Sequence, residues 1–182
     1  MKSIEGLIRK RQSTRKFSDK PIAKEHILKC IEAARLAPSA SNAQPWKFIV
    51  VDTAEKRARI AKYTYEKIGF FNKFTSRAQC FVVITLEKQK LITRLGKRIK
   101  GIDWELIDIG IAAQHLCLQA EELGIGSCMI GWYSEKPVKE LLQIPHNKKV
   151  ALIIALGYPV EGYKIRKKIR KPLKEVLNYN TY

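Results

Sequence analysis

The stretch from Trp104 to Leu123 constrains the fold of this chain more than any other. Leu106, Ile107, Ile109, Ile111, Ala112, Leu116, Leu118, Ala120 and Leu123 make a helix that is apolar on most of its circumference. Such a helix has to be covered on every side. A chain of 182 residues supports one substantial core, so a partner subunit is a natural cover for the last face. Gly124-Ile125-Gly126 ends the helix.

The other elements fall around it. Ile4, Leu7, Ile8 and Arg11 keep helical spacing, so a short first helix ends near residues 10–12. The chain is then extended, with Ser13, Arg15 and Phe17 on one face and Thr14 and Lys16 on the other. A second helix spans 24–36 with Ile27, Leu28, Ile31 and Ala34 on one stripe, and Pro38 prevents its continuation. Residues 38–45 form a loop. The β-branched and aromatic runs 47–51 and 80–84 read as buried strands, with a lysine-dressed helix from Glu55 to about Lys67 between them. Residues 127–131 form a short strand, and Ser134 caps a helix through Leu142 in which Glu135 precedes Lys139 by one turn. The run 150–156 is a buried strand that Gly157-Tyr158-Pro159 turns into a basic tail. Alternating helices and strands predict one layered α/β or α+β domain over residues 1–182. Local patterns leave the strand order open.

Several function classes drop out. The longest fully apolar run, Val150 to Leu156, is far short of the roughly 20 residues that cross a bilayer. Met1 to Lys10 breaks its apolar residues with charges, unlike a signal peptide. Cys30, Cys80, Cys117 and Cys128 form no C-x-x-C pair, and three of them lie in apolar stretches, where a thiol is a small hydrophobe. A cytoplasmic protein with reduced cysteines is expected. Gly124, Gly126 and Gly131 follow a helix with the wrong spacing for a dinucleotide fingerprint, and no G-x-x-x-x-G-K-[ST] loop occurs. His26, His115 and His146 share no metal spacing, and Gly126 to Gly131 is not a nucleophile elbow. No catalytic side chain and no metal ligand is assigned, which points to chemistry borrowed from a cofactor.

The formal charge of +18 is uneven, with seven Lys or Arg and no acid between Tyr163 and Lys174 and six more from Lys88 to Lys100. Such fields attract nucleic acid, anionic membrane or a phosphorylated ligand. A lysine-rich composition spread over solvated faces gives the same count without any partner. Two segments narrow the choice. Arg11-Gln12-Ser13-Thr14-Arg15-Lys16-Phe17 and Ala37-Pro38-Ser39-Ala40-Ser41-Asn42-Ala43-Gln44-Pro45-Trp46 set fixed cations beside small hydroxyl and amide donors. Flavin mononucleotide (FMN) needs such groups. Its phosphate suits Arg11, Ser13, Lys168 and Arg170, its ribityl chain suits the loop from Pro38 to Gln44, and its ring suits a strand end such as Met129-Ile130-Gly131, where glycine lets backbone come close.

Six elements in order, covering nearly the whole chain, resemble the FMN-dependent nitroreductase family. They are R-x-S-x-R-x-F at 11–17, P-S-x-x-N-x-Q-P-W at 38–46, Leu123 to Gly131, Leu141 to Pro145, Ala155 to Pro159, and Lys168 to Val176. The resemblance implies an α+β, three-layer fold with a central, mostly antiparallel sheet flanked by helices. It also implies a swapped homodimer with FMN at the subunit interface. Residues matching Arg11, Gln12 and Ser13 hold phosphate, the position of Arg15 lies near flavin N1 and O2, and Asn72 is a ring contact. Pro38, Ser39 and Asn42 match positions that reach the partner's FMN, Ile130 and Gly131 match the backbone facing N5, and Lys168 and Arg170 match a second phosphate clamp. The implied activity is hydride transfer from NADH or NADPH through FMN to an oxidised acceptor such as a nitroaromatic or quinone.

The chain departs from the family at Met129, where many members carry an aromatic. The Asn-and-Lys element around Asn72 is blurred, and the pocket-shaping insertions of longer members shrink to residues near Lys88 to Gly101. Two rivals accompany this expectation. One is a flavin-consuming or dehalogenating enzyme of the same fold. The other is a basic nucleic-acid-binding module built on the 163–174 cluster, although the aromatics are not interleaved there as a stacking platform requires.

Overall fold

Four strands form one antiparallel sheet in the order β1-β2-β4-β3 in the computed structural model, which describes residues 3–66, 70–87 and 101–182. They are β1 (Trp46–Val51), β2 (Cys80–Leu86), β3 (Gly126–Ile130) and β4 (Lys149–Gly157). Successive side chains of a strand point to opposite faces, and here both faces are covered. On one side Cys80, Val82, Ile84, Ile154 and Leu156 pack under α2 (Lys24–Arg35) and α4 (Trp104–Glu122). On the other, Phe81, Val83, Ile153 and Ala155 meet Ile60 of α3 (Ala54–Tyr63) and Val138 of α5 (Glu135–Leu142). The result is the three-layer α+β arrangement that the resemblance implies. Burial on both faces also explains why the runs at 80–84 and 150–156 lack polar alternation.

Helix ends follow the sequence closely. Ser3 caps α1 (Ile4–Lys10) through its hydroxyl, which accepts from the Gly6 N–H. Gly124, at φ 75°, closes α4, with Ile125 N–H donating to Ala120 O at 2.8 Å and Gly124 N–H to Glu121 O at 3.1 Å, the double bond pattern of a Schellman end.

Three expectations about the helices need correction. The buried stripe of α2 is Ile27, Cys30 and Ala34, while Leu28 is exposed; Cys30 takes the core position at i+3, which turns Leu28 outward. Ser134 sits at the start of α5, but its hydroxyl makes no capping bond, and its N–H donates to Tyr63 O instead. Helix α3 stops at Tyr63, where the Thr64 hydroxyl turns back to Ala61 O at 2.7 Å; Lys67 lies outside the described residues, as do 88–100. Helix α4 leaves Leu106 and Ile107 exposed, in keeping with a last face left for a partner subunit, and its buried face includes Glu105 and Asp108.

The segment after α1 is seated on the free edge of β3. Ser13 bridges Ser127 in parallel and Phe17 bridges Pro159 antiparallel. Because the bridges have opposite sense, strict alternation fails. Thr14 and Phe17 both point inward and are buried, and Arg15 and Lys16 both point out. Two glycines permit this approach. A Cβ at Gly126 would lie 2.6 Å from the Thr14 hydroxyl, and one at Gly157 would lie 2.8 Å from the Phe17 ring. Overpacking of this kind costs about 1–3 kcal/mol. Gly126→Ala is therefore expected to lower stability by that amount in urea unfolding, whereas a fully stable G126A protein would show that the 13–17 segment moves aside freely.

Candidate functional site

Seating Ser13 against Ser127 brings the end of α1 beside the tail. Arg11, Gln12 and Ser13 form one wall, and Arg166, Lys167, Lys168, Ile169 and Arg170 the other, of an open cleft of about 450 Å³. The walls are sewn together by specific bonds. The Gln12 side chain donates to Lys164 O at 3.2 Å and accepts from the Arg166 N–H at 3.1 Å and from Arg166 Nε at 3.3 Å. Arg166 Nη2 donates to Ser13 O at 2.6 Å, and Lys168 Nζ donates to Arg11 O. Gln12 thus spends both ends of its amide on holding the tail.

Five cations line the cleft with no acid among its lining residues. Burial, and after it the charges of Arg11 and Arg170, hold the Lys168 ammonium below the ordinary lysine value. Arg11 Nε is buried with no hydrogen-bond partner among the described residues. A buried donor without an acceptor is costly, and crowded like charges repel. An oxygen-rich dianion would relieve both.

Further along the same edge lie the residues expected at a ring. Four residues of extended chain separate Ser127 from Gly131, about 13 Å at strand rise. Ile130 is buried and Gly131 exposed. A Cβ at Gly131 would meet nothing within 4 Å, so neither packing nor backbone conformation accounts for this glycine, and a flat group can lie against its backbone. Arg15 donates its N–H to the Tyr163 hydroxyl at 3.1 Å and holds its guanidinium 5.8 Å from the centre of the Phe74 ring. Asn72 Nδ2 donates to Thr64 O and Trp132 O, each at 3.2 Å, and so ties the 70–77 segment to the chain just past Gly131. The cations of the cleft suit the phosphate of FMN, and the open backbone at Gly131 suits its ring.

Pro38, Ser39 and Asn42 lie elsewhere. Their loop is strained: Ser41, Asn42 and Gln44 all have φ near +50° (52°, 49° and 47°), a region that side chains other than glycine's disfavour. It is fixed by Asp108, whose carboxylate accepts the Ala40 N–H at 3.1 and 3.3 Å, by Ser39 Oγ accepting from the Gln44 N–H at 2.9 Å, and by Asn42 Oδ1 accepting from Gln44 Nε2 at 2.9 Å. Asp108 lies towards the start of α4, whereas Arg11 influences Cys117 and Glu121 influences Lys168 near its end. From Asp108 to Glu121 the helix rises about 20 Å. Within one chain the loop and the cleft remain apart.

Three residues that shape the site escaped the sequence reading. Arg166 shares a period of two with Lys168 and Arg170, a signal that could have found it. Asp108 stands out as an acid in an apolar helix. Nothing local marks Tyr163.

The nitroreductase family profile matches residues 8–158. A protein of Archaeoglobus fulgidus provisionally named an NADH dehydrogenase/NAD(P)H nitroreductase is 35% identical over 158 residues, 84% of this chain and 83% of its own. The FMN reductase (NADPH) of Bacillus subtilis is 29% identical over 187 residues, 99% of this chain and 74% of that protein. The solved structure of an FMN-dependent nitroreductase from Clostridium difficile R20291 is similar with a TM-score of 0.76 at 31% identity, covering 98% of this chain and 100% of that one.

Loss of a charged acceptor from a buried N–H costs about 1–3 kcal/mol. Asp108→Ala is expected to destabilise the protein by this amount in urea and to speed proteolytic cleavage within 38–44, while Asp108→Asn, which keeps an acceptor, retains most of both. Identical cleavage in D108A and wild type would remove Asp108 from loop support.

Proposed function

The chain belongs to the nitroreductase family, and from that premise we propose how its own residues serve the family's chemistry. It is an oxidoreductase dependent on FMN and NAD(P)H. When bound, FMN supplies the redox step, hydride passing from NADH or NADPH through N5 to an oxidised acceptor such as a nitroaromatic or quinone. The protein binds, orients and shields that group.

Arg11, Ser13, Lys168 and Arg170 hold the phosphate. Gln12 and Arg166 act one step behind, keeping the tail against residues 11–13. Arg15 places fixed positive charge near N1 and O2, where negative charge builds, a stabilisation that needs no proton donor. Ile130 and Gly131 offer backbone to the N5 edge, and Asn72, with its amide nitrogen committed to two carbonyls, has its side-chain oxygen left to offer the ring. The observation that carries this reading is the cleft, with its five cations and the partnerless Arg11 Nε.

The site is completed in a homodimer. Helix α4 leaves Leu106 and Ile107 exposed, and a Cβ at Gly110, one turn on, would meet nothing within 4 Å. A glycine in a helix interior costs about 1 kcal/mol relative to alanine, which close approach of a second helix would justify. Ile169, Leu173, Val176 and Tyr179 of the tail are exposed as well and suit wrapping over a partner. Pro38, Ser39 and Asn42 then reach the partner's FMN. The four free, buried thiols support a cytoplasmic location; no helix among the described residues is long and apolar enough to cross a membrane.

The test is the visible spectrum of the purified protein with anaerobic NADPH and then NADH. Flavin bands that bleach are expected, and a protein that cannot take up FMN would overturn the reading. Lys168→Ala is expected to weaken FMN binding about 10- to 100-fold, the value of a charge-assisted bond, measured by fluorescence titration. Gly110→Arg is expected to yield monomers in sedimentation velocity and to lose flavin with them; a flavin-loaded G110R dimer would place the seam elsewhere.

A further inference from the structure

Trp132 follows Gly131 directly, and its indole is 61% exposed. Exposed tryptophan is unusual, because the ring buries more apolar area than almost any other side chain and dominates binding energetics when covered. Here the exposure is not looseness. The Trp132 carbonyl accepts from Asn72 Nδ2 at 3.2 Å, the next residue anchors its hydroxyl on Val150 O at 2.8 Å, and Ser134 N–H donates to Tyr63 O at 2.8 Å. Backbone on both sides of the indole is fixed. Phe71, 62% exposed, meets the indole edge-on, with centroids 6.2 Å apart and planes at 77°.

We propose that Trp132, steadied by Phe71, is a specificity-determining shelf on which the planar aromatic ring of the acceptor stacks beside the open face of Gly131. The inference rests on the FMN reading above. Three features select this occupant. The shelf is continuous with the backbone that would flank N5. It is preorganised, so that a ligand pays little ordering entropy. Its quadrupolar face rewards flat π-systems and offers nothing to compact, hydrated acceptors.

The test uses the FMN-loaded protein, reduced anaerobically and mixed in stopped flow with a naphthoquinone or with ferricyanide. Trp132→Ala is expected to raise the half-saturating quinone concentration about tenfold, the value of one aromatic stack, and to leave the ferricyanide rate, the flavin content and the sedimentation coefficient unchanged. Trp132→Phe is expected to restore most of the quinone affinity. Equal losses for both acceptors, or none, would overturn the shelf while leaving the FMN assignment in place. A W132A protein that falls to monomers would also overturn it, by giving the indole to the subunit interface. Wild-type protein that takes up no FMN would remove the reading beneath the inference and the inference with it.

Discussion

The rest of the structure depends on a close backbone approach, the 13–17 segment lying against β3 at Gly126 and against the end of β4 at Gly157, where neither residue presents a side chain. An exposed strand edge is a liability that folds usually cover. This one is covered by the chain that carries Arg11, Ser13 and Arg15, so the same contact that protects the sheet places the cations. Through Gln12 and Arg166 it then recruits the tail. Remove either glycine's bareness and the wall of the cleft moves as a unit.

Helix α4 supplies the second constraint. Burying Asp108 costs desolvation, and the carboxylate recovers part of that by fixing the Ala40 N–H. Three left-handed residues in one short loop cost roughly 1–3 kcal/mol each. Strain of that size persists only where the surroundings over-determine the backbone, here through Asp108, Ser39 and Asn42.

The layers were legible in the sequence because β2 and β4 are buried on both faces and so read as unbroken apolar runs, and because α4 announced its glycine stop. Strand order was not, since pairing is set by contacts far apart in the chain. Alternation misled at Phe17, where two bridges of opposite sense replace a continuous ladder. The α2 stripe misled at Leu28 because Cys30, small and buried, held the core position. That Arg11, Ser13, Lys168 and Arg170 come together in one cleft was readable from the order of motifs. Arg166 was legible in the period of two it shares with Lys168 and Arg170, but its bonds to Ser13 O and Gln12 join residues far apart in the chain, which local spacing does not encode.

Electrostatics joins these observations. A net charge of +18 opposes compaction, and the cleft concentrates that opposition, with Lys168 depressed by burial and then by the charges of Arg11 and Arg170. An anion bound in the cleft would relieve that repulsion, so its affinity and the stability of the fold are linked. A ligand at 100 times its Kd adds about 2.7 kcal/mol, a large share of a marginal stability. The tail is tied to residues 11–13 by bonds between side chains and backbone. The exposed apolar residues of the tail are also those suited to a partner. On the reading proposed above, phosphate binding and dimer assembly would draw on one set of contacts, a purpose for the basic tail that composition alone could not separate from a lysine-rich surface.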